Sequence, residues 1–135
     1  MSSSNKPPTQ FTFIVEGFHD EDTLRPIFPD VKYIVTHGRP YNSKLEQAIK
    51  LALRKQETVL ILTDPDEHGD LIANSIQLKH PDFKRIRINP DNCHCTRHHH
   101  HKIGIEHADP MYLKQVITPY LETYLESEES RCSPD

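Results

Sequence analysis

Two short runs, Phe11 to Val15 (FTFIV) and Val59 to Thr63 (VLILT), carry apolar or β-branched side chains at every position. A strand with one wet face alternates polar and apolar residues, so a run without a polar break must be covered on both faces, as in the middle of a parallel sheet. Tyr33 to Thr36 (YIVT) and Arg85 to Ile88 (RIRI) have strand composition as well. The segments between these strands have helical spacing. Asp20 is a candidate cap for a helix running to about Ile27, and Ser43 with Glu46 reads as a capping box ahead of Leu45, Ala48, Ile49 and Ala52. Leu71, Ile72 and Ile76 mark a third helix. Asp109-Pro110 opens a fourth, with Leu113, Val116, Ile117, Tyr120, Leu121 and Tyr124 on one face and Pro119 expected to kink or restart it. The order βαβαβαβα predicts an α/β fold, a four-stranded parallel sheet flanked by helices on both faces.

Residues 1–9 hold no apolar residue after Met1, and residues 126–135 are acidic and rich in serine. Both are expected to be flexible tails, leaving one domain over 10–125. No apolar run approaches the length of a membrane span and no signal-peptide pattern opens the chain, which points to a cytoplasmic protein. Three cysteines, with Cys93 and Cys95 in a tight CxC, do not form a disulfide framework.

The formal net charge of −4 argues against a generic nucleic-acid binder. A local excess runs the other way: Lys84, Arg85, Arg87, Arg97 and Lys102 face one acid, Asp91, in the same stretch. That stretch is a candidate surface for a polyanion or, read plainly, a solvated charged segment.

Three of the four glycines, Gly17, Gly38 and Gly69, fall just after the first three predicted strands, where tight turns are needed. Beside them, Glu16 follows FTFIV directly, and Asp64 and Asp66 follow VLILT in TDPDEHG. In open α/β sheets ligands bind outside the C-terminal strand ends. If the first and third strands are neighbours, the three carboxylates converge there, and a hard divalent cation with oxygen ligands would offset their repulsion. The alternative is that Asp64 or Asp66 simply caps the third helix.

The strings FIVEG (Phe13 to Gly17) and TDPDEHG (Thr63 to Gly69) resemble the two signature motifs of the Toprim superfamily of topoisomerases, primases and nucleases. With IGIEHAD (Ile103 to Asp109) the resemblance narrows to the ribonuclease M-five family, endonucleases that mature 5S ribosomal RNA. It implies Glu16 as general base or acid, and Asp64 and Asp66, with Glu16 also in reach, as ligands of Mg²⁺ or Mn²⁺. It also implies Gly17, Gly38 (in THGRPYN) and Gly69 as residues shaping the backbone, and Glu106 and His107 near the site. The implied substrate is RNA, bound as a structured molecule, with a ribosomal or other protein supplying recognition. Two departures stand out: the chain ends soon after the fourth helix, where family members carry a further recognition domain, and Asp70 to Asn74 (DLIAN) lacks the family's basic residues. The other reading is a non-catalytic module binding RNA or protein through residues 84–102.

The stretch NCHCTRHHHHK, with Cys93, His94, Cys95 and His98 to His101, reads as an ordinary loop, a phosphate-facing loop or a site for Zn²⁺, Ni²⁺ or Cu, which the four adjacent histidines would also retain adventitiously. The five tyrosines raise a topoisomerase-like nucleophile, but the length leaves no room for strand-gating domains.

Overall fold

A computed structural model of the chain describes residues 10–88, 94–95, 102–103 and 109–131. Four parallel strands, β1 (Phe11–Val15), β2 (Lys32–Val35), β3 (Thr58–Ile61) and β4 (Lys84–Arg85), form one sheet in the order β2-β1-β3-β4. Helices α1 (Phe18–Leu24), α2 (Ser43–Arg54), α3 (Glu67–Lys79) and α4 (Pro110–Arg131) supply the layers. Two short strands, β5 (His94–Cys95) and β6 (Lys102–Ile103), pair antiparallel with His94 opposite Ile103.

Alternation along the central strands decides which helix covers which face. Phe11, Phe13 and Val15 of β1 join Leu60 and Leu62 in one core with Leu24 of α1 and Leu113 and Ile117 of α4. Ile14, Val59 and Ile61 point the other way, against Leu45 and Ile49 of α2 and Ile72 and Ile76 of α3. Side chains on a strand alternate between faces, so a strand sandwiched on both sides is buried at every position, as FTFIV is, with Thr12 as its one polar residue. The chain steps outward from β1 to β2 through α1, then returns across β1 through α2 to β3, so the order reverses between β1 and β3. Such a reversal opens a crevice between the two strand ends, because the following connections leave in opposite directions.

Several boundaries differ from the sequence expectation. The cap of α2 is Asn42, whose side chain accepts the Leu45 N–H at 3.0 Å, so Ser43 is the first helical residue instead of the cap. Glu46 pairs with Lys50 one turn on. Gly17 stands at the start of α1, and Asp20 reaches back to accept the Gly17 N–H at 3.2 Å. That helix stops at Leu24 instead of near Ile27. The fourth strand is confined to Lys84 and Arg85 because β3, its partner, ends at Ile61 opposite Arg85. Pro119 lies inside one uninterrupted helix that runs on to Arg131, past the boundary expected at residue 125. Its lost N–H leaves the Gln115 carbonyl without its helical donor, a defect an exposed helix face can hand to water.

The opposite, N-terminal edge of the sheet is held by a different group of side chains. Glu57, buried, accepts a hydrogen bond from Thr12 Oγ1 (2.9 Å) and pairs with Lys32 Nζ (2.6 Å), tying β1 and β2 to the entrance of β3. Burial alone would raise the Glu57 carboxyl, but the bonds from Lys32 and Thr12 and the nearby lysine charges outweigh it and hold it below the ordinary value.

Candidate active site

β1 pairs with β3 in parallel register, Ile14 opposite Ile61, so the residues that follow each strand leave the sheet side by side. Glu16 emerges from β1, and its Oε1 accepts the backbone N–H of Asp64 at 2.8 Å. One hydrogen bond thus joins the two sequence motifs across the reversal point. Asp66, two residues on, caps α3: its Oδ1 accepts the Gly69 N–H at 2.7 Å. The capping alternative is therefore correct for Asp66, while Asp64 lies in the turn before the cap. Capping does not remove the Asp66 charge, and both aspartates act on Glu16.

The Glu16 carboxyl is half-buried and titrates above the ordinary glutamate value. Desolvation is the largest cause and the charge of Asp64 the next, with Asp66 adding to it; the Asp64 N–H and the charge of His68 pull the other way. A carboxyl poised upward in this way can both take and return a proton nearer neutrality than an exposed glutamate. A cation beside Asp64 and Asp66 would reverse the two repulsive causes.

Glycine is demanded at one of these positions. A Cβ on Gly69 would lie 2.8 Å from the Asp64 carbonyl carbon and 2.9 Å from Glu16 Oε1, so the close approach of α3 to the Glu16–Asp64 bond depends on the missing side chain. Gly38 has φ +74°, and its N–H donates to the Glu16 carbonyl oxygen at 3.2 Å. Gly17 is different: its backbone is extended and nothing lies within 4 Å of where a Cβ would stand, so the structure gives no steric reason for glycine there.

The sequence expectation put Arg85 among residues available to RNA, but its side chain is only 7% exposed. It donates from Nη2 to the Asp64 carbonyl oxygen at 3.0 Å and from Nη1 to Asp70, bracing the turn that carries Asp64. Its Nε is buried without a hydrogen-bond partner among the described residues. Lys84 and Arg87 are exposed on the adjoining surface. Lys102 contributes its backbone to β6, while Arg97, Glu106, His107, Cys93 and His98 to His101 lie outside the described residues. His68 is a site residue that sequence reasoning missed: its Nε2 lies 2.8 Å from the Gly38 carbonyl oxygen and links the start of α3 to the loop after β2. No spacing rule announces such a residue, although its place in TDPDEHG puts it on the first turn of α3. Tyr33 is pushed up to about 12 by burial against the opposing effect of Arg25, which makes it a poor nucleophile at neutral pH.

Among the described residues no three His, Cys, Asp or Glu side chains are already gathered as a ready-made metal cage. Mg²⁺ does not require one, since it commonly takes one or two carboxylates and keeps its waters. The oxygen donors that Glu16, Asp64 and Asp66 offer suit a hard cation and no soft one. Among the described residues no helix is long and apolar enough to cross a membrane.

Comparison with known proteins agrees with this fold. A model of the Toprim domain family matches residues 11–90. The chain is 29% identical over 115 residues to Ribonuclease M5 of Staphylococcus aureus, covering 82% of this chain and 62% of that protein. It is 30% identical over 104 residues to Ribonuclease M5 of Bacillus anthracis, covering 77% and 54% respectively. The chain therefore spans somewhat more than half the length of these relatives. Among solved structures, a small TOPRIM domain protein from Bacillus stearothermophilus shares the fold with a TM-score of 0.68 at 19% identity, over 84% of this chain and 90% of that one. The matched segment holds the whole parallel sheet, both acidic strand ends and the Glu16–Asp64 bond between them, and the chain belongs to the Toprim domain family.

Proposed function

We propose that this chain hydrolyses phosphodiester bonds of RNA in a divalent-cation-dependent reaction. The observation that carries the reading is the 2.8 Å hydrogen bond from the Asp64 N–H to Glu16 Oε1, which fixes a raised-pKa carboxyl beside two further carboxylates in the sheet crevice. Asp64 and Asp66, with Glu16 in reach, are the residues that would hold Mg²⁺ or Mn²⁺. When bound, the cation offsets the carboxylate charge and stabilises negative charge on phosphate oxygens.

The chain's own groups divide the remaining work. Glu16 Oε1 is occupied by the Asp64 amide, so Oε2 is the oxygen that takes a proton from an attacking water and later returns it toward the leaving oxygen. Arg85 and Gly69 keep that amide in place, the first by bracing the Asp64 carbonyl and the second by letting α3 approach. The substrate class rests on the similarity to the two ribonucleases. The motif resemblance makes a precursor of 5S ribosomal RNA, with a ribosomal or other protein, the first substrate to try.

Incubation of the chain with RNA and Mg²⁺ or Mn²⁺ tests the reading. Cleavage should need the cation and disappear in Asp64→Asn and Glu16→Gln while RNA affinity persists. Cleavage that survives chelation or either substitution rejects the mechanism, and RNA binding with no cleavage under any cation leaves a non-catalytic module.

A further inference from the structure

The loop that joins β2 to α2 builds a second feature beside Glu16 that the carboxylates do not explain. Its backbone is pinned to the site: the Thr36 N–H donates to the Val15 carbonyl at 2.9 Å, and the Gly38 N–H to the Glu16 carbonyl at 3.2 Å. Within it His37 holds a left-handed φ of +60°, a region uncommon for non-glycine residues although histidine enters it more readily than most. That conformation sets the His37 ring edge-on to Phe18, with ring centroids 5.1 Å apart. Phe18 opens α1 two residues after Glu16, yet it is 61% exposed. An aromatic ring left in water is costly, and one braced by a second ring keeps a flat apolar face presented outward.

His37 also lines a cleft of about 350 Å³ that runs to the first turn of α2. Arg39, Asn42 and Lys44 line it together with His37, and no acidic side chain does. Arg39 and Lys44 are exposed, and neither makes a salt bridge among the described residues. In a chain of net charge −4, two cations without carboxylate partners in one cleft next to an acidic crevice favour an anion that reaches both. The combination of a flat aromatic face and a cationic cleft fits a base and its phosphate.

We infer that Phe18, braced by His37, is a stacking platform for an unpaired nucleotide whose phosphate lies in the Arg39–Lys44 cleft, next to the bond cut at the Glu16 crevice. The inference deepens the phosphodiesterase reading and rests on it for the position of the cut. A base inside a duplex has both faces stacked and cannot reach such a platform, so the preferred substrate is single-stranded at this position.

Binding can be read without cleavage by fluorescence anisotropy of the full chain with labelled oligouridylate in chelator. Phe18→Ala should weaken binding about tenfold, whereas Phe18→Tyr, which keeps the ring, should restore it. Replacing Arg39 and Lys44 together by Gln should flatten the dependence of log affinity on log salt by about 0.7, the share of one neutralised phosphate on a single strand. Duplex RNA of the same length should compete poorly. Unchanged binding by Phe18→Ala, an unchanged salt slope, or equal competition by the duplex overturns the platform. Those results leave Mg²⁺-dependent cleavage untouched as a separate question, just as loss of cleavage with platform-dependent binding would reject only the phosphodiesterase reading.

Discussion

Replacing Gly69 by Ala perturbs the joint between the two acidic motifs, and its cost follows from the geometry. The new Cβ would overlap the Asp64 carbonyl oxygen and stand 2.8 Å from its carbon. Carbon atoms pack at about 3.5–4.0 Å, so α3 and the Asp64 turn must separate by at least about 0.7–1.2 Å, and further to clear the oxygen. Bonds of 2.7–3.0 Å cross that gap: Asp64 N–H to Glu16, Arg85 to the Asp64 carbonyl, Gly69 N–H to Asp66 and Thr63 Oγ1 to the Gly69 carbonyl. A shift of this size carries two or more of them out of range, at about 1 kcal/mol each. Overpacking adds about 1–3 kcal/mol, and the better helix propensity of alanine returns about 1 kcal/mol. The net loss is about 2–4 kcal/mol. Gly17→Ala, which meets nothing within 4 Å, should stay within about 0.5 kcal/mol of the wild type. Urea unfolding of both variants, with unchanged slopes, reads the difference directly. A Gly69→Ala protein as stable as the wild type, or a Gly17→Ala protein equally damaged, refutes the steric reasoning.

Two further outcomes follow from individual side chains. Asp66→Asn keeps a good cap and should unfold within about 0.5 kcal/mol of the wild type, whereas Asp66→Ala should lose about 1 kcal/mol; both should lose the thermal stabilisation given by Mg²⁺. Glu57 titrates below its ordinary value in the fold, so its contribution is fully present above the unfolded value of about 4.3 and is lost as pH falls through the lower folded value. Urea unfolding of Glu57→Gln across that acid range should show a shallower loss of stability than the wild type, and parallel curves would contradict the assignment.

The sheet was legible because FTFIV and VLILT leave no polar face, and the site was legible because Glu16 and Asp64 sit where those strands end. What stayed hidden was the direction and partner of individual polar groups. Asn42 and Ser43 are both competent caps, and only the backbone decides that Asn42 receives the Leu45 N–H. Arg85 carries the same charge as Arg87, but it falls opposite Ile61 on the short strand and turns inward toward Asp64 and Asp70, while Arg87 is exposed. Charge composition cannot distinguish those two fates. The Phe18–His37 pair was invisible for a related reason: it depends on the left-handed backbone at His37, which nothing in THGRPYN dictates.

Isothermal titration of Mg²⁺ into the chain tests the carboxylate cluster most directly. Mg²⁺ is a hard cation, so the Cys- and His-rich segment should not compete for it. The wild type should show saturable binding, and Asp64→Asn should bind about tenfold more weakly or not at all while unfolding no more easily than the wild type in chelator. Absence of saturable binding by the wild type, or equal binding by folded Asp64→Asn, would contradict a cation site at Glu16, Asp64 and Asp66.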